Sequence, residues 1–331
     1  MEKGSLGELY LTRSVIKHIK RLNKDVLAGA AVGNDFTAVK TGQNHIIIST
    51  EGVSNDPYLA WTKACNNVYV SGGVPISARI ILLLPADFDE SNLKKIMSVL
   101  NELSNSQGIQ ISGGHTECQD AYNSPRVCVC MTGVTNCLFD TKCKEKDIDI
   151  VMTKYTGIAG TNIIVEAEKQ KLLSRYAKSY VEGAYFDKAD YCIGKDAGIA
   201  AKYAIDNNMT FLYMHDVSSS GLYGALWQLG VKLKSGFTIN HDMIPIRQET
   251  IEVCEFFDIN PYMLEGTGSL LIACHDGESL VKEYLSNGIN ASVIGHLTTA
   301  NDRVIRIPLD NDTRHEMRYL VPPKGEELHK I

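Results

Sequence analysis

Nothing in the 331-residue chain is long and apolar enough to span a bilayer: the run from Ile80 to Pro85 is far short of the ~20 residues a membrane helix needs. The opening MEKGSLGELYLTRSVIKHIKRLNKD interleaves charges with apolar residues and lacks the uninterrupted apolar core of a secretion signal, so a cytoplasmic protein is expected. A basic excess is missing too. Thirty-three Lys and Arg stand against 39 Asp and Glu, a net charge of −6, which argues against nucleic acid as a partner and for a small molecule. The nine cysteines form no C-x-x-C pair and their number is odd, so a disulfide framework is not expected and free thiols are. Neither G-x-x-x-x-G-K-[ST] nor G-x-G-x-x-G occurs, which removes the P-loop and dinucleotide fingerprints. No repeat, low-complexity tract or Pro/Gly/Ser-rich linker divides the chain.

What is present is ordinary globular material, 44% hydrophobic and 22% charged, in a length that suits about two domains. The run His45 to Thr50 predicts a strand, Leu59 to Val70 a helix, and Arg79 to Leu84 a second strand. Ser91 to Leu103 carries Leu93, Ile96, Met97, Leu100 and Leu103 at three- and four-residue steps, an amphipathic helix with Ser91 as its cap. Ile109 to Ser112 reads as a strand running into Gly113-Gly114, and Val127 to Val134 as another. Cys128 and Cys130 then share one strand face and are expected in the core. The pattern restarts at Ile148, which places a boundary between domains 1–147 and 148–331. Beyond it, helices are expected over 197–205, 221–229 and 280–285, and strands over 268–274, 291–297 and 303–307. The alternation predicts an α/β or α+β architecture, with the final PPKGEELHKI a surface tail.

Three polar clusters follow these elements in the first half: Gly33-Asn34-Asp35, Thr50-Glu51-Gly52 and Gly113-Gly114-His115-Thr116-Glu117. Glycine lets backbone approach a phosphate, and carboxylates offer hard oxygen ligands to Mg²⁺, so together they suggest a metal–nucleotide site. Taken singly, a glycine pair is a turn and Asp35 a solvated loop acid. His115 serves as a loop hydrogen-bonding residue or as a base; His215 orients Asp216 or caps a strand end. Arg247 holds a substrate anion or pairs with Glu249 or Glu252. Trp61 and Trp227 read as packing anchors, and Cys254 and Cys274 as core.

The order of these clusters, with Asn66-Asn67, Gly72-Gly73-Val74-Pro75, the later Met214-His215-Asp216-Val217-Ser218-Ser219-Ser220-Gly221-Leu222 and the stretch Ile244 to Thr250, resembles the aminoimidazole ribonucleotide (AIR) synthase superfamily over nearly the whole chain. That group includes AIR synthase, the thiocarboxamide-dehydrating hydrogenase-maturation protein, thiamine-monophosphate kinase and selenophosphate synthetase. The resemblance implies a two-domain fold, a homodimer pairing the sheets of the N-terminal domains, and ATP and Mg²⁺ as cofactors. It implies Asp35 and Glu51 as metal ligands and Asp35, Asp216 and His115 as catalytic. Gly33, Asn66, Asn67, Gly113, Gly114, Thr116 and Glu117 would bind the nucleotide, with Gly113 to Glu117 in a phosphate-contacting loop. The sequence departs from the family at Glu51, where Asp is usual, and at Asn67, where a carboxylate is usual. Ser218-Ser219-Ser220 replaces an acid and paired glycines. No cysteine follows Cys274, which argues against group transfer to the chain's own tail. Two functions therefore stand: an ATP-dependent enzyme that phosphorylates, and in one branch dehydrates, a small carbonyl or amide, and a ligand-binding protein that kept the fold without turnover.

Overall fold

The computed structural model describes residues 7–20, 22–42, 45–139, 148–209, 211–309, 315–323 and 325–331. In chain order its elements are α1 (Glu8–Ser14), β1 (Val26–Ala28), β2 (Thr37–Thr41), β3 (His45–Ser54), α2 (Pro57–Tyr69), β4 (Val74–Leu84), α3 (Glu90–Gln107), β5 (Gln110–Cys118) and β6 (Arg126–Thr135). Then come β7 (Asp149–Thr153), α4 (Ile158–Leu172), α5 (Lys178–Gly183), α6 (Gly194–Asp206), β8 (Tyr213–Val217), α7 (Gly221–Leu233), β9 (Gly236–Asn240) and α8 (Gln248–Phe256). β10 (Ser269–Cys274), α9 (Gly277–Ser286), β11 (Ala291–Thr298), β12 (Arg303–Pro308) and β13 (His315–Tyr319) complete the chain. Two packing units result: 21–30 with 34–138, and 1–20 with 31–33 and 139–331. The expected boundary at 147 lies outside the described residues, but the first 20 residues and 31–33 do not follow the simple division at that point.

The unit formed by 21–30 and 34–138 is a six-stranded sheet in the order β1-β2-β3-β6-β4-β5, antiparallel except for β4 against β5, which α3 connects. Alternation sorts its side chains. Ile46 and Ile48, Ala78 to Leu84 at every second position, and Val127, Val129 and Met131 turn inward onto α2 and α3. Trp61 of α2 is fully buried there and its indole N–H donates to Gln107 Oε1 at 2.9 Å, tying α2 to the end of α3. Burying side chains of this size contributes about 1.5–3 kcal/mol each before ordering costs. Cys128 and Cys130 share a face as expected, but it is the half-buried face opposite this core, because Val127, Val129 and Met131 hold the inward positions. Ser91 is not the cap of α3: the helix starts at Glu90 and Asp89 is the capping position.

The other unit holds a seven-stranded sheet, β13-β12-β9-β11-β7-β10-β8, in which only β12 against β9 is parallel. β10 is buried at every position, and β7 at all but its first. Strands covered on both faces need apolar residues at consecutive positions, which is why SLLIAC reads as a continuous run. α7 packs on one face through Leu222, Leu226, Leu229 and Leu233, while α6 touches β10 and α9 touches β7 and β11. The last residues are not a bare surface tail: Glu327 is buried, accepts from the Asn260 backbone N–H at 3.1 Å and pairs with Lys330 at 2.7 Å. Two largely antiparallel sheets with helices make this α+β. No helix among the described residues is long and apolar enough to cross a membrane.

Candidate active site

In the first unit the Thr50-Glu51-Gly52 cluster lies inside β3, which runs on to Ser54 instead of ending at Thr50. Strand alternation splits its work. Thr50 is buried and its hydroxyl donates to the Ala64 carbonyl of α2 at 2.7 Å. A Cβ at Gly52 would stand 2.0 Å from the Ala60 carbonyl oxygen, so glycine is what lets α2 lie this close. Glu51, between them, projects from the opposite, exposed face, with Cys130 as its cross-strand neighbour. Asn66 and Asn67 sit on the last turns of α2; Asn66 is fully buried, and the Asn67 side-chain amide donates to the Glu51 carbonyl at 3.3 Å. Asn67 Oδ1 is buried without a hydrogen-bond partner among the described residues.

The Gly113 to Glu117 cluster is also strand, not a loop. β5 pairs in parallel with β4 over its length, with Gly114 opposite Ile80 and His115 opposite Ile81. A Cβ on Gly114 would fall 1.8 Å from the Ile80 carbonyl oxygen, so this glycine serves close strand approach. β5 is the edge of its sheet and mostly exposed, including Thr116. His115 Nε2 lies 3.2 Å from Glu117 Oε2, and the Tyr122 hydroxyl donates to Glu117 Oε1 at 2.9 Å. The Tyr122 hydrogen bond, and then His115, hold the Glu117 carboxyl below the usual carboxylate range. Asp35 lies in the irregular stretch between β1 and β2, half-buried.

In the second unit Asp216 lies on β8, the edge strand beside β10, and is 5% exposed. Strand β8 ends at Val217; Ser218 to Ser220 follow, and Gly221 starts α7 with a φ of 63°. That φ favours glycine, and a Cβ there would meet the Leu264 carbonyl oxygen at 2.6 Å. Asp216, the three serines and Gln228 line a polar hollow at this turn. His215 neither caps the strand nor points away from the helix: its Nε2 sits 2.8 Å from Gln228 Oε1, and its ring stacks on Tyr213 at 6.1 Å. Gly33 joins this neighbourhood. Its carbonyl accepts from the Tyr213 hydroxyl at 3.0 Å, and a Cβ on it would stand 2.7 Å from the Gln228 carbonyl oxygen. Tyr213, Gln228 and Tyr122 carried no signal beyond apolar or polar periodicity and were not expected in these contacts.

Arg247 resolves to structure: it pairs with Glu249 at 3.2 Å, donates to the Tyr185 carbonyl at 3.3 Å and to the Gly183 carbonyl at 2.5 Å, and lies 4.5 Å over the Phe186 ring. Cys254 and Cys274 are core, and burial pushes both thiols up to about 12. The structure thus brings together Glu51 with Asn67, His115 with Glu117, and Gly33 with the surroundings of Asp216.

Residues 33–135 match the profile of the AIR synthase related protein N-terminal domain, and residues 199–307 that of the C-terminal domain. The chain belongs to the AIR synthase-related family. Within it, a Methanocaldococcus jannaschii protein named for hydrogenase expression/formation is 24% identical over 318 residues, covering 91% of this chain and 90% of the relative. A selenide, water dikinase of Treponema denticola is 25% identical over 268 residues, covering 77% and 69%. The crystal structure of the hydrogenase maturation protein HypE in complex with ATP superposes with a TM-score of 0.68 at 13% identity, covering 96% of this chain and 95% of the other. In this AIR synthase-related chain Glu51 lies within β3, the neutral Asn67 on α2, and a serine triplet precedes α7.

Proposed function

We propose that this protein is an ATP-dependent phosphoryl-transfer enzyme acting on a small carbonyl or amide substrate. The observation that carries the reading is Asn67, whose side-chain amide donates to the backbone carbonyl of Glu51 and whose Oδ1 is buried without a partner among the described residues. A buried amide oxygen without a donor costs stability and is the kind of hard ligand a divalent cation or its bound water satisfies. Family membership supplies the class; the hydrogenase-maturation and selenide, water dikinase relatives support ATP as the phosphoryl donor.

On this reading the γ-phosphoryl group leaves ADP and forms a new P–O bond to the substrate oxygen; in a dehydrating branch that oxygen then departs as phosphate. Such transfer depends mainly on positioning and charge stabilisation. Asp35, Glu51 and Asn67 Oδ1 would hold Mg²⁺, which supplies charge neutralisation at the phosphates. Asp216, buried at the polar hollow, orients the accepting group by hydrogen bonding. His115, exposed on β5 with its Nε2 3.2 Å from Glu117 Oε2, would act as a base with Glu117 orienting its ring. The outer face of the first sheet exposes Val53, Val74, Ile76, Ile47 and Val134, an apolar surface suited to pairing with a second copy, so the active form is a homodimer through this face. Asp35→Asn should abolish Mg²⁺-dependent ATP binding by calorimetry and leave the circular-dichroism spectrum intact; unchanged binding would remove Asp35 from the site.

A further inference from the structure

The polar hollow at Asp216 does not end at the serines. Ser220, Gly224 and Gln228 also line a second hollow whose walls are Leu11 of α1, Val32, Trp227 of α7 and the Pro322-Pro323 pair. Gly224 sits at the junction: a Cβ there would come within 2.3 Å of Ser220 Cβ and close on Pro323, so glycine keeps the passage open. One end is therefore hydroxyl, amide and carboxylate, and the other is indole and proline.

Trp227 is not a plain packing anchor. Its ring lines the hollow while Arg303 lies 3.8 Å over it, and its N–H donates to Glu8 Oε2 at 2.8 Å. Those two contacts fix the ring plane, because one constrains its face and the other its edge. Gly230 admits the arginine: a Cβ there would stand 2.8 Å from Arg303 Nε. Arg303 lines neither hollow, and among the described lining residues the charged ones are Glu8 and Asp216, both acids. An indole held edge and face, in a hollow it shares with two prolines, suits a planar apolar ring; the two acids suit a head group that donates hydrogen bonds and disfavour a carboxylate head, while the three hydroxyls can donate or accept.

We infer that these joined hollows bind the acceptor substrate, a small molecule with a planar, largely apolar ring against Trp227 and an uncharged or cationic hydrogen-bond-donating head, an amide, hydroxyl or amine, at Asp216 and Ser218 to Ser220. The fate of that head rests on the phosphoryl-transfer reading; the binding itself does not.

Three probes share a ring and differ only in the head: tryptamine, tryptophol and indole-3-acetate. Their affinity for the full-length protein is measured by ligand-observed NMR, with ATP and Mg²⁺ binding followed separately by calorimetry. Tryptamine and tryptophol should bind at least tenfold more tightly than indole-3-acetate. Trp227→Leu should weaken both by fivefold or more, and Glu8→Gln should narrow the preference for tryptamine over indole-3-acetate while the fold, checked by circular dichroism, persists. Equal or tighter binding of indole-3-acetate, no binding of any probe, or unchanged tryptamine affinity in a folded Trp227→Leu protein would overturn the inference. If Trp227→Leu does not fold, Ser219→Ala and Glu8→Gln carry the test, since an unchanged ratio of tryptamine to indole-3-acetate affinity in both would also overturn it. Loss of ATP binding alone would count against the phosphoryl-transfer reading and leave this site standing.

Discussion

At Asn67, where the sequence resemblance leads to the expectation of a carboxylate, the surroundings make an exchange measurable. Asn67→Asp removes the donor that reaches the Glu51 carbonyl and puts a carboxylate near a carbonyl oxygen and near Glu51 itself. Without a cation, like charges raise one another's pKa and cost stability near neutral pH. With Mg²⁺, an added carboxylate ligand should tighten binding. The expected outcome is a lower melting temperature for Asn67→Asp in EDTA and a gain in both melting temperature and ATP affinity with Mg²⁺. Destabilisation that Mg²⁺ does not reverse would favour a ligand-binding protein that kept the fold without turnover. Glu117 offers a second test. Its lowered pKa means that its stabilising contribution is present above the unfolded carboxylate value and lost as pH falls through the lowered one. Because the group is exposed, the effect on stability is small and the titration itself is the better readout. Tyr122→Phe removes the larger cause, so the Glu117 carboxyl in an NMR titration should move up towards its ordinary value; no movement would show that His115 alone sets it.

At the scale of elements, α2 does most to shape the first unit. Asp56 caps it by accepting from the Tyr58 backbone N–H at 2.8 Å, and Pro57 occupies its first turn, where no N–H is needed. Gly52 and Gly133 then let the helix lie against β3 and β6, since a Cβ on Gly133 would meet Val68 at 2.4 Å. Asp56→Ala should cost about 1 kcal/mol in urea unfolding. A loss well above the ~2 kcal/mol upper range for caps would show that Asp56 does more than cap α2. The same close-approach logic explains β5. A glycine pair reads locally as a turn, yet Gly114 is needed because the Ile80 backbone of β4 occupies the space a side chain would take.

For the whole molecule, the exposed apolar face of the first sheet predicts association. Val74 is 62% exposed and Val53 53%, both on a face that α2 and α3 leave uncovered. Light scattering at micromolar concentration should give twice 36.5 kDa, and Val74→Asp with Val53→Asp should return the chain to 36.5 kDa with its ATP affinity reduced. A wild-type mass of 36.5 kDa would refute the homodimer.

Strand and helix periodicity made most elements legible before any fold was known: the runs at 45–50, 79–84, 127–134 and 268–274 and the helices at 59–70 and 91–103 lie within or close to observed elements, because each depends on neighbours a few residues away. Motif order was equally legible and placed the chain in its family. What needed the tertiary structure is whatever rests on distant partners. The Gly33 carbonyl meets Tyr213 and Glu8 meets Trp227, contacts 180 and 219 residues apart in the chain, and no local pattern encodes either. Cys128 and Cys130 were sorted from core to outer face by the stronger demand of Val127, Val129 and Met131 for burial. The buried place of Glu327 follows from the Asn260 backbone amide it satisfies. Periodicity says which residues of an element share a face; only packing says what that face meets.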